Sequence, residues 1–150
     1  MINRKKSVVL LIAEDDDDDF LLTREALEGS HLLNTLYRVK NGEELLDCLL
    51  HRGTYAGDGV VPRPALILLD LNMPKMDGRE ALKKIKEHPD LRRIPVVVLT
   101  TSDAEEDIAK TYDLGVNSFI RKPVSFDEFL RTIQVLKEYW LEIVTLPEDE

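Results

Sequence analysis

A doubly wound α/β domain with five parallel strands in the order 2-1-3-4-5 is the fold this sequence predicts, on three observations. Five short apolar runs rich in β-branched residues recur along the chain, stretches of helical period separate them, and the first, third and fourth runs are apolar without interruption. Unbroken apolarity marks strands covered on both faces, as in a parallel sheet. Strict alternation of strand and helix places helices on both sides of that sheet.

The first strand, Val8–Ile12, runs into a block of acids after Ala13. Phe20, Leu21, Thr23, Arg24 and Leu27 open the first helix. Leu36–Val39 is the second strand and Glu43–Leu50 the second helix. The segment His51–Pro64, rich in Gly and Pro, is expected as a surface loop. The third strand is Leu66–Leu69, and the third helix, Asp77–Glu87, stops before Pro89. Ile94–Leu99 is the fourth strand; Ala104–Leu114 is the fourth helix, with Gly115 as its C-terminal cap. Ser118–Ile120 forms the fifth strand and Ser125–Ile143 the fifth helix, with Ser125 and Glu128 in capping-box spacing. The tail Pro147–Glu150 is expected to fray.

A chain of 150 residues fits one domain, with a core over about residues 7–143 and a short acidic tail. Hydrophobic residues at 43% and charged residues at 33% are those of a water-soluble globular chain. Cys48, the single cysteine, has no internal disulfide partner, and a reducing cytoplasm is the simplest setting. The basic segment Met1–Ser7 and the brief apolar run after it are too short for a signal-peptide core or a membrane span. A net charge of −9 argues against a sequence-independent grip on nucleic acid.

In an open parallel sheet, ligands sit beyond the carboxyl ends of the strands. Glu14 and Asp15 follow the first strand, Asp70 and then Leu71-Asn72-Met73-Pro74 the third, Thr100 and Thr101 the fourth, and Lys122 and Pro123 the fifth. Three carboxylates, a hydroxyl and an ammonium therefore converge from four separated segments. Such carboxylates repel unless something positive joins them. A hard divalent cation bound by oxygens answers that need, and Mg²⁺ suits a site with few protein ligands that also takes phosphate. The ion and Lys122 would neutralise a transferring phosphoryl group, Thr100 would donate to another of its oxygens, and Asp70 would be the nucleophile that forms an aspartyl-phosphate. Taken singly, each residue has an ordinary explanation: a turn-forming Asp, a solvated acid run, a hydroxyl cap, an exposed lysine. Four such explanations failing at one cleft is what favours chemistry.

These residues resemble a receiver domain of the two-component type, in the CheY-like family with its flavodoxin-like sheet. The resemblance covers about residues 7–143 and rests on Glu14-Asp15, LILLDLNMPKMDG (Leu66–Gly78), VVVLTTS (Val96–Ser102) and FIRKP (Phe119–Pro123). It implies that Asp70 is phosphorylated by a partner histidine kinase. It further implies that Asp15 is the principal metal ligand, Glu14 contacts the ion through water, and Asn72 gives it a backbone carbonyl, with Asp16 a further candidate. The ion is Mg²⁺, which Mn²⁺ or another divalent cation can replace. Thr100 follows the phosphoryl group, Lys122 matches the family lysine, Pro123 its cis-proline partner, and Phe119 the aromatic switch. By this resemblance the protein is a phosphoacceptor with self-catalysed phosphotransfer and slow autodephosphorylation, not a classical enzyme. The loop His51–Pro64 and the terminus Tyr139–Pro147 are similar to phytochrome-associated single-domain regulators, which implies a phytochrome as the kinase. Asp16–Asp19 depart from the family, where a proline or asparagine is often found.

After the fifth helix no room is expected for a DNA-binding or catalytic output domain, so output by protein contact or phosphotransfer is expected. Phe126, Phe129, Leu130, Ile133, Leu136, Trp140 and Ile143 share one helical face, for which core packing is expected up to Leu136. Tyr139, Trp140, Val144 and Leu146 are then a surplus of large apolar groups, expected in a homodimer interface of helix four, strand five and helix five. A metal-dependent phosphohydrolase is the main rival, but it wants an Asp where Asn72 stands. A calcium loop is excluded by Phe20 and Ala26 where Gly and Glu are required, and a nucleotide switch by the lack of a Gly-rich phosphate loop. A non-phosphorylated receiver acting as a scaffold is disfavoured by the complete set Asp15, Asp70, Thr100 and Lys122. His31, His51 and His88 are expected as ordinary surface residues, Cys48 as a small buried or half-buried residue without chemistry, and Asn72 and Ser102 as tuners of phosphate lifetime.

Overall fold

The computed structural model describes residues 8–28, 33–57, 60–101 and 105–143. In chain order it holds β1 (Val8–Ala13), α1 (Asp17–Glu28), β2 (Leu33–Val39), α2 (Gly42–Leu50), β3 (Leu66–Leu69), α3 (Gly78–Glu87), β4 (Val96–Thr100), α4 (Glu105–Asp113), β5 (Ser118–Arg121) and α5 (Phe126–Lys137). The five strands pair in parallel in the order β2-β1-β3-β4-β5, as expected. Every residue of β3 and β4 is buried, which is why those runs carry no polar alternation.

The pleat divides the core in two. Leu11, Ile67, Leu69, Val96 and Val98 face α2 and α3, meeting Leu45, Leu49, Leu82 and Ile85. Leu10, Ile12, Leu66, Leu68, Val97 and Leu99 face α1 and α5, meeting Leu27, Phe129, Ile133 and Leu136. Alternate side chains of one strand thus serve opposite layers. Helices cover both faces of the sheet, which leaves the strand ends, and by the rule for open parallel sheets the carboxyl ends, for chemistry.

Differences from the sequence reading have local causes. α1 starts at Asp17, three residues ahead of its first apolar position, because the Asp16 carboxylate accepts from Asp19 N at 2.9 Å and caps the helix. Acids in a first turn also favour the positive end of the helix dipole. The loop after α2 is more built than its Gly and Pro suggested. His51, in the left-handed region at φ 56°, ends α2, and its Nε2 lies 3.0 Å from the Val61 carbonyl, with Val61 itself buried. A 3-10 turn, Gly53–Tyr55, follows. His51 is itself exposed, as expected, whereas His88 is half-buried and accepts from Asp90 N at 3.1 Å.

Two expectations are corrected. No cis peptide bond occurs among the described residues, so Lys122–Pro123 is trans; the small preference between isomers at an X–Pro bond leaves the choice to surroundings that a motif does not encode. Trp140 is no spare interface group: it is 8% exposed and packs with Phe129, Ile133 and Leu136 in the α1/α5 layer. Beyond Lys137 the chain continues as a wide π-type turn, Glu138–Ile143, and Trp140 keeps the inward spacing i+4 from Leu136. Phe126, by contrast, is exposed, against the expectation of core packing. Val144, Leu146, the tail Pro147–Glu150, His31 and Ser102 lie outside the described residues. Among the described residues no helix is long and apolar enough to cross a membrane.

Candidate functional site

Backbone ladders bring the site together. Asp70 N donates to the Ala13 carbonyl at 3.0 Å, Glu14 N to the Val39 carbonyl at 3.0 Å, and Lys122 N to the Thr100 carbonyl at 2.6 Å. The residues at or just past the carboxyl ends of β1, β3, β4 and β5 are thereby brought side by side. Glu14, Asp70, Thr100 and Lys122 are all buried. Polar groups in such a position must satisfy one another, and they do. Thr100 Oγ1 donates to Asp70 Oδ1 at 2.8 Å and Asn72 N donates to the same oxygen at 3.0 Å. Lys122 Nζ donates to Asp70 Oδ2 at 3.1 Å, to Asp19 Oδ2 at 2.9 Å and to Glu14 Oε1.

The run of aspartates separates into different tasks. Asp15 is exposed at the mouth of the site. Asp16 caps α1. Asp17 turns outward to Arg38 at 2.8 Å and Lys40 at 3.7 Å, and Arg38, with Lys40, holds its carboxyl below the usual range. Asp19 turns inward to Lys122. Arg38, on β2, also donates from Nε to the Glu14 carbonyl at 2.9 Å and lies 4.5 Å from the Phe20 ring centroid, so it braces the acidic loop from behind. Asp16, a further metal candidate from the sequence, serves as the cap of α1 instead, the tasks of Asp17–Asp19 have no sequence pattern, and Arg38 was signalled only as a basic residue at the exit of the neighbouring strand.

Glu14, Asp15 and Asp70 each offer a carboxylate oxygen, and these lie within 4.8 Å of one another. Burial pushes the Glu14 carboxyl up to about 8, Lys122 opposing and Asp70 adding to the rise. Burial likewise disfavours the charged form of Lys122, but Glu14, Asp70 and Asp19 outweigh it and keep the amine protonated above its ordinary range. Even with Glu14 pushed toward its neutral form, Asp70, Asp19 and Asp15 outnumber the one ammonium, and the donor set is all oxygen. A hard divalent cation fits both facts. Asn72, the expected carbonyl ligand, has its side chain among hydroxyls: its Nδ2 lies 3.3 Å from Thr100 Oγ1 and 3.2 Å from Thr101 Oγ1. Phe119 stands apart on β5, half-buried against the α2/α3 layer, with its amide donating to the Tyr112 hydroxyl of α4 at 3.1 Å. Tyr139 is exposed and its ring meets Trp140 edge to face, centroids 5.6 Å apart, far from the acids in sequence and layer. Arg79, which no sequence pattern singled out, bridges α3 to Asp107 of α4 at 2.6 Å.

A parallel five-stranded sheet of this order, with a buried acid–hydroxyl–lysine set at its carboxyl edge, defines a phosphoacceptor signalling module, and the chain belongs to the response regulator receiver domain family, which matches residues 10–134. Among its relatives, Response regulator Rcp1 of Synechocystis sp. is 44% identical over 126 residues, 84% of each chain. The structure of the phosphorylated cyanobacterial phytochrome response regulator RcpA superposes with TM-score 0.89 at 42% identity, covering 95% of this chain and 99% of that one. The Mn²⁺-bound form of Rcp1 gives TM-score 0.88 at 43% identity, covering 94% and 99%. A divalent cation is thus held by a close relative, and the acidic cluster of this chain can hold one.

Proposed function

We propose that Asp70 receives a phosphoryl group from a histidine of a sensor kinase and that the protein passes the signal on by protein contact. The observation that carries this reading is the division of labour at Asp70: Oδ1 is held by Thr100 and the Asn72 amide, Oδ2 by Lys122. Such holding aims a carboxylate as a nucleophile. In the transfer the N–P bond of the donor histidine breaks, with its electron pair returning to the imidazole, and a bond forms between phosphorus and a carboxylate oxygen of Asp70. Lys122 stays protonated and offers its charge to the oxygens of the transferring group. Thr100 exchanges its bond to Asp70 for one to the phosphoryl group, and Phe119, tied through its amide to α4, is the second part of the switch. Glu14, Asp15 and Asp70 carboxylates with the Asn72 carbonyl would hold Mg²⁺, or Mn²⁺ in its place. When bound, that cation supplies charge neutralisation for the phosphoryl oxygens.

The resemblance to phytochrome response regulators supports a phytochrome as the kinase, and a cytoplasmic location with no nucleic-acid or membrane partner follows from that role. One domain and slow autodephosphorylation belong to the same reading. A homodimer through α4, β5 and α5 is supported by the exposed Tyr112, Val124, Phe126 and Tyr139 on or next to those elements. Incubation with a small phosphodonor and Mg²⁺, followed by intact mass, tests the core of the reading. One base-labile phosphate adduct is expected, absent with EDTA and absent in Asp70→Asn. An adduct that persists in Asp70→Asn, or none in the unaltered protein, refutes it.

A further inference from the structure

Between the phosphoacceptor site and α4 stands a side chain that the reading above does not use. Arg79, in the first turn of α3, sets its guanidinium fork on Asp107, Nε to Oδ1 and Nη2 to Oδ2 both at 2.6 Å. Its Nη1 meets Asp77 Oδ2 at 2.8 Å. Two carboxylates from two segments thus fix the plane of the group, and a bidentate fork of this kind is both strong and directional. The edge so held faces the Leu71 carbonyl and Asn72 Oδ1, each 3.5 Å away.

A guanidinium has only donors, whereas a carboxamide has a donor end and an acceptor end. The positive edge of Arg79 therefore selects the oxygen of Asn72. The NH₂ end must point the other way, toward Thr100 Oγ1 and Thr101 Oγ1. Thr100 in turn donates to Asp70. A chain of polar contacts runs from the phosphoacceptor to α4, and the orientation of one amide is set in the middle of it.

We propose that Arg79 is a positioning residue that keeps the Asn72 carboxamide with its donors toward the site and ties that orientation to the place of α4 through Asp107. The claim about phosphate lifetime rests on Asp70 being the phosphoacceptor. In hydrolysis of the aspartyl-phosphate a water oxygen bonds to phosphorus and the bond to the Asp70 oxygen breaks. Asp70 leaves as a carboxylate with the electron pair, and the water's proton passes to solvent as inorganic phosphate departs. A carbonyl oxygen beside the phosphoryl group would accept from that water and orient it; an NH₂ group has no such lone pair to give. Donors held inward slow the reaction, and loss of Arg79 lets the amide turn over.

Two measurements test this. In ¹⁵N-labelled, unphosphorylated protein the Asn72 side-chain amide protons should show NOEs to the Thr100 and Thr101 methyls. Arg79→Ala should abolish them, while Arg79→Lys, still a donor only, keeps them; NOEs unchanged in Arg79→Ala overturn the assignment. In the phosphorylated protein, Arg79→Ala should shorten the phosphate lifetime about fivefold, the worth of one ordinary hydrogen bond. In an Asn72→Ala background the same change should have no further effect, because the pair acts as a unit. Full additivity of the two substitutions shows that Arg79 acts only through the fold and sinks the idea. If the unaltered protein takes no phosphate, the Asp70 reading has failed, and the amide NOEs alone decide for or against Arg79 as the positioning residue.

Discussion

Glu14 and Asp15 are adjacent in sequence and opposite in environment. Glu14 is 5% exposed and bonded to Lys122, whereas Asp15 stands in solvent. Removing each should therefore report on a different thing. Asp15→Asn should leave the stability of the metal-free protein within about 0.5 kcal/mol, as for most surface changes. It should nevertheless abolish the rise in melting temperature that Mg²⁺ or Mn²⁺ gives the unaltered protein, since stabilisation by a ligand follows its affinity for the folded state alone. A full metal-dependent rise in Asp15→Asn would remove it from the ligand set. Cys48 makes the contrasting case of a group with no chemistry. It is 2% exposed, and burial, with Glu44 adding, pushes its thiol up to about 11 from 9.0. The folded chain then keeps a proton that the unfolded chain releases, so the associated stability is complete below pH 9 and is lost as pH rises toward 11. At pH 8 the folded protein should react with a thiol reagent far more slowly than the urea-unfolded chain; equal rates would show an open site.

Elements aim these residues, and the joint between β3 and α3 leaves no room for a side chain at Gly78. A Cβ at Gly78 would lie 2.4 Å from the Asp70 carbonyl oxygen and 2.7 Å from Leu71 Cα, both backbone atoms with no room to give. Alanine is the better helix former by about 1 kcal/mol, yet overpacking against backbone costs about 1–3 kcal/mol or more. The clash wins. Gly78→Ala should lower the urea-unfolding free energy by a net amount on the order of 1–2 kcal/mol. Since it displaces Asp70, it should also slow phosphorylation by on the order of 10- to 100-fold; an unchanged rate would mean that Asp70 is aimed from elsewhere. How far such joints can be read in advance depends on where the information lies. β3 and β4 were legible because burial on both faces writes itself as apolar sequence, and Asp70, Thr100 and Lys122 because strand ends define the cleft. The start of α1 was not, since acids hide a helix from an apolar pattern while capping it. The Lys122–Pro123 isomer, the grip of Arg38 on Asp17 and the fork of Arg79 on Asp107 were not either. Each depends on residues that meet only after the sheet has assembled, 21 and 28 positions apart for the two arginines.

At the scale of the whole molecule the question is which large apolar groups hold the chain together and which are left exposed for the proposed homodimer. Trp140 and Tyr139 are neighbours that answer differently, the first 8% and the second 51% exposed. Trp140→Ala removes a ring from the α1/α5 layer and should cost about 3–5 kcal/mol in urea unfolding, as for other large core truncations. Its effect on self-association should follow only from that loss. Tyr139→Ser should leave unfolding within about 0.5 kcal/mol and instead shift sedimentation equilibrium toward monomer. Charge adds a second handle. Each chain carries −9, so in the proposed homodimer two copies would repel while apolar contact would draw them together. Salt screens the repulsion within a Debye length and leaves burial of apolar surface in place. Association through α4, β5 and α5 should therefore tighten as ionic strength rises, and Tyr139→Ser should weaken it at every salt concentration. A dimer that loosens with salt would be held by ion pairs instead, and one indifferent to Tyr139→Ser would lie on another face.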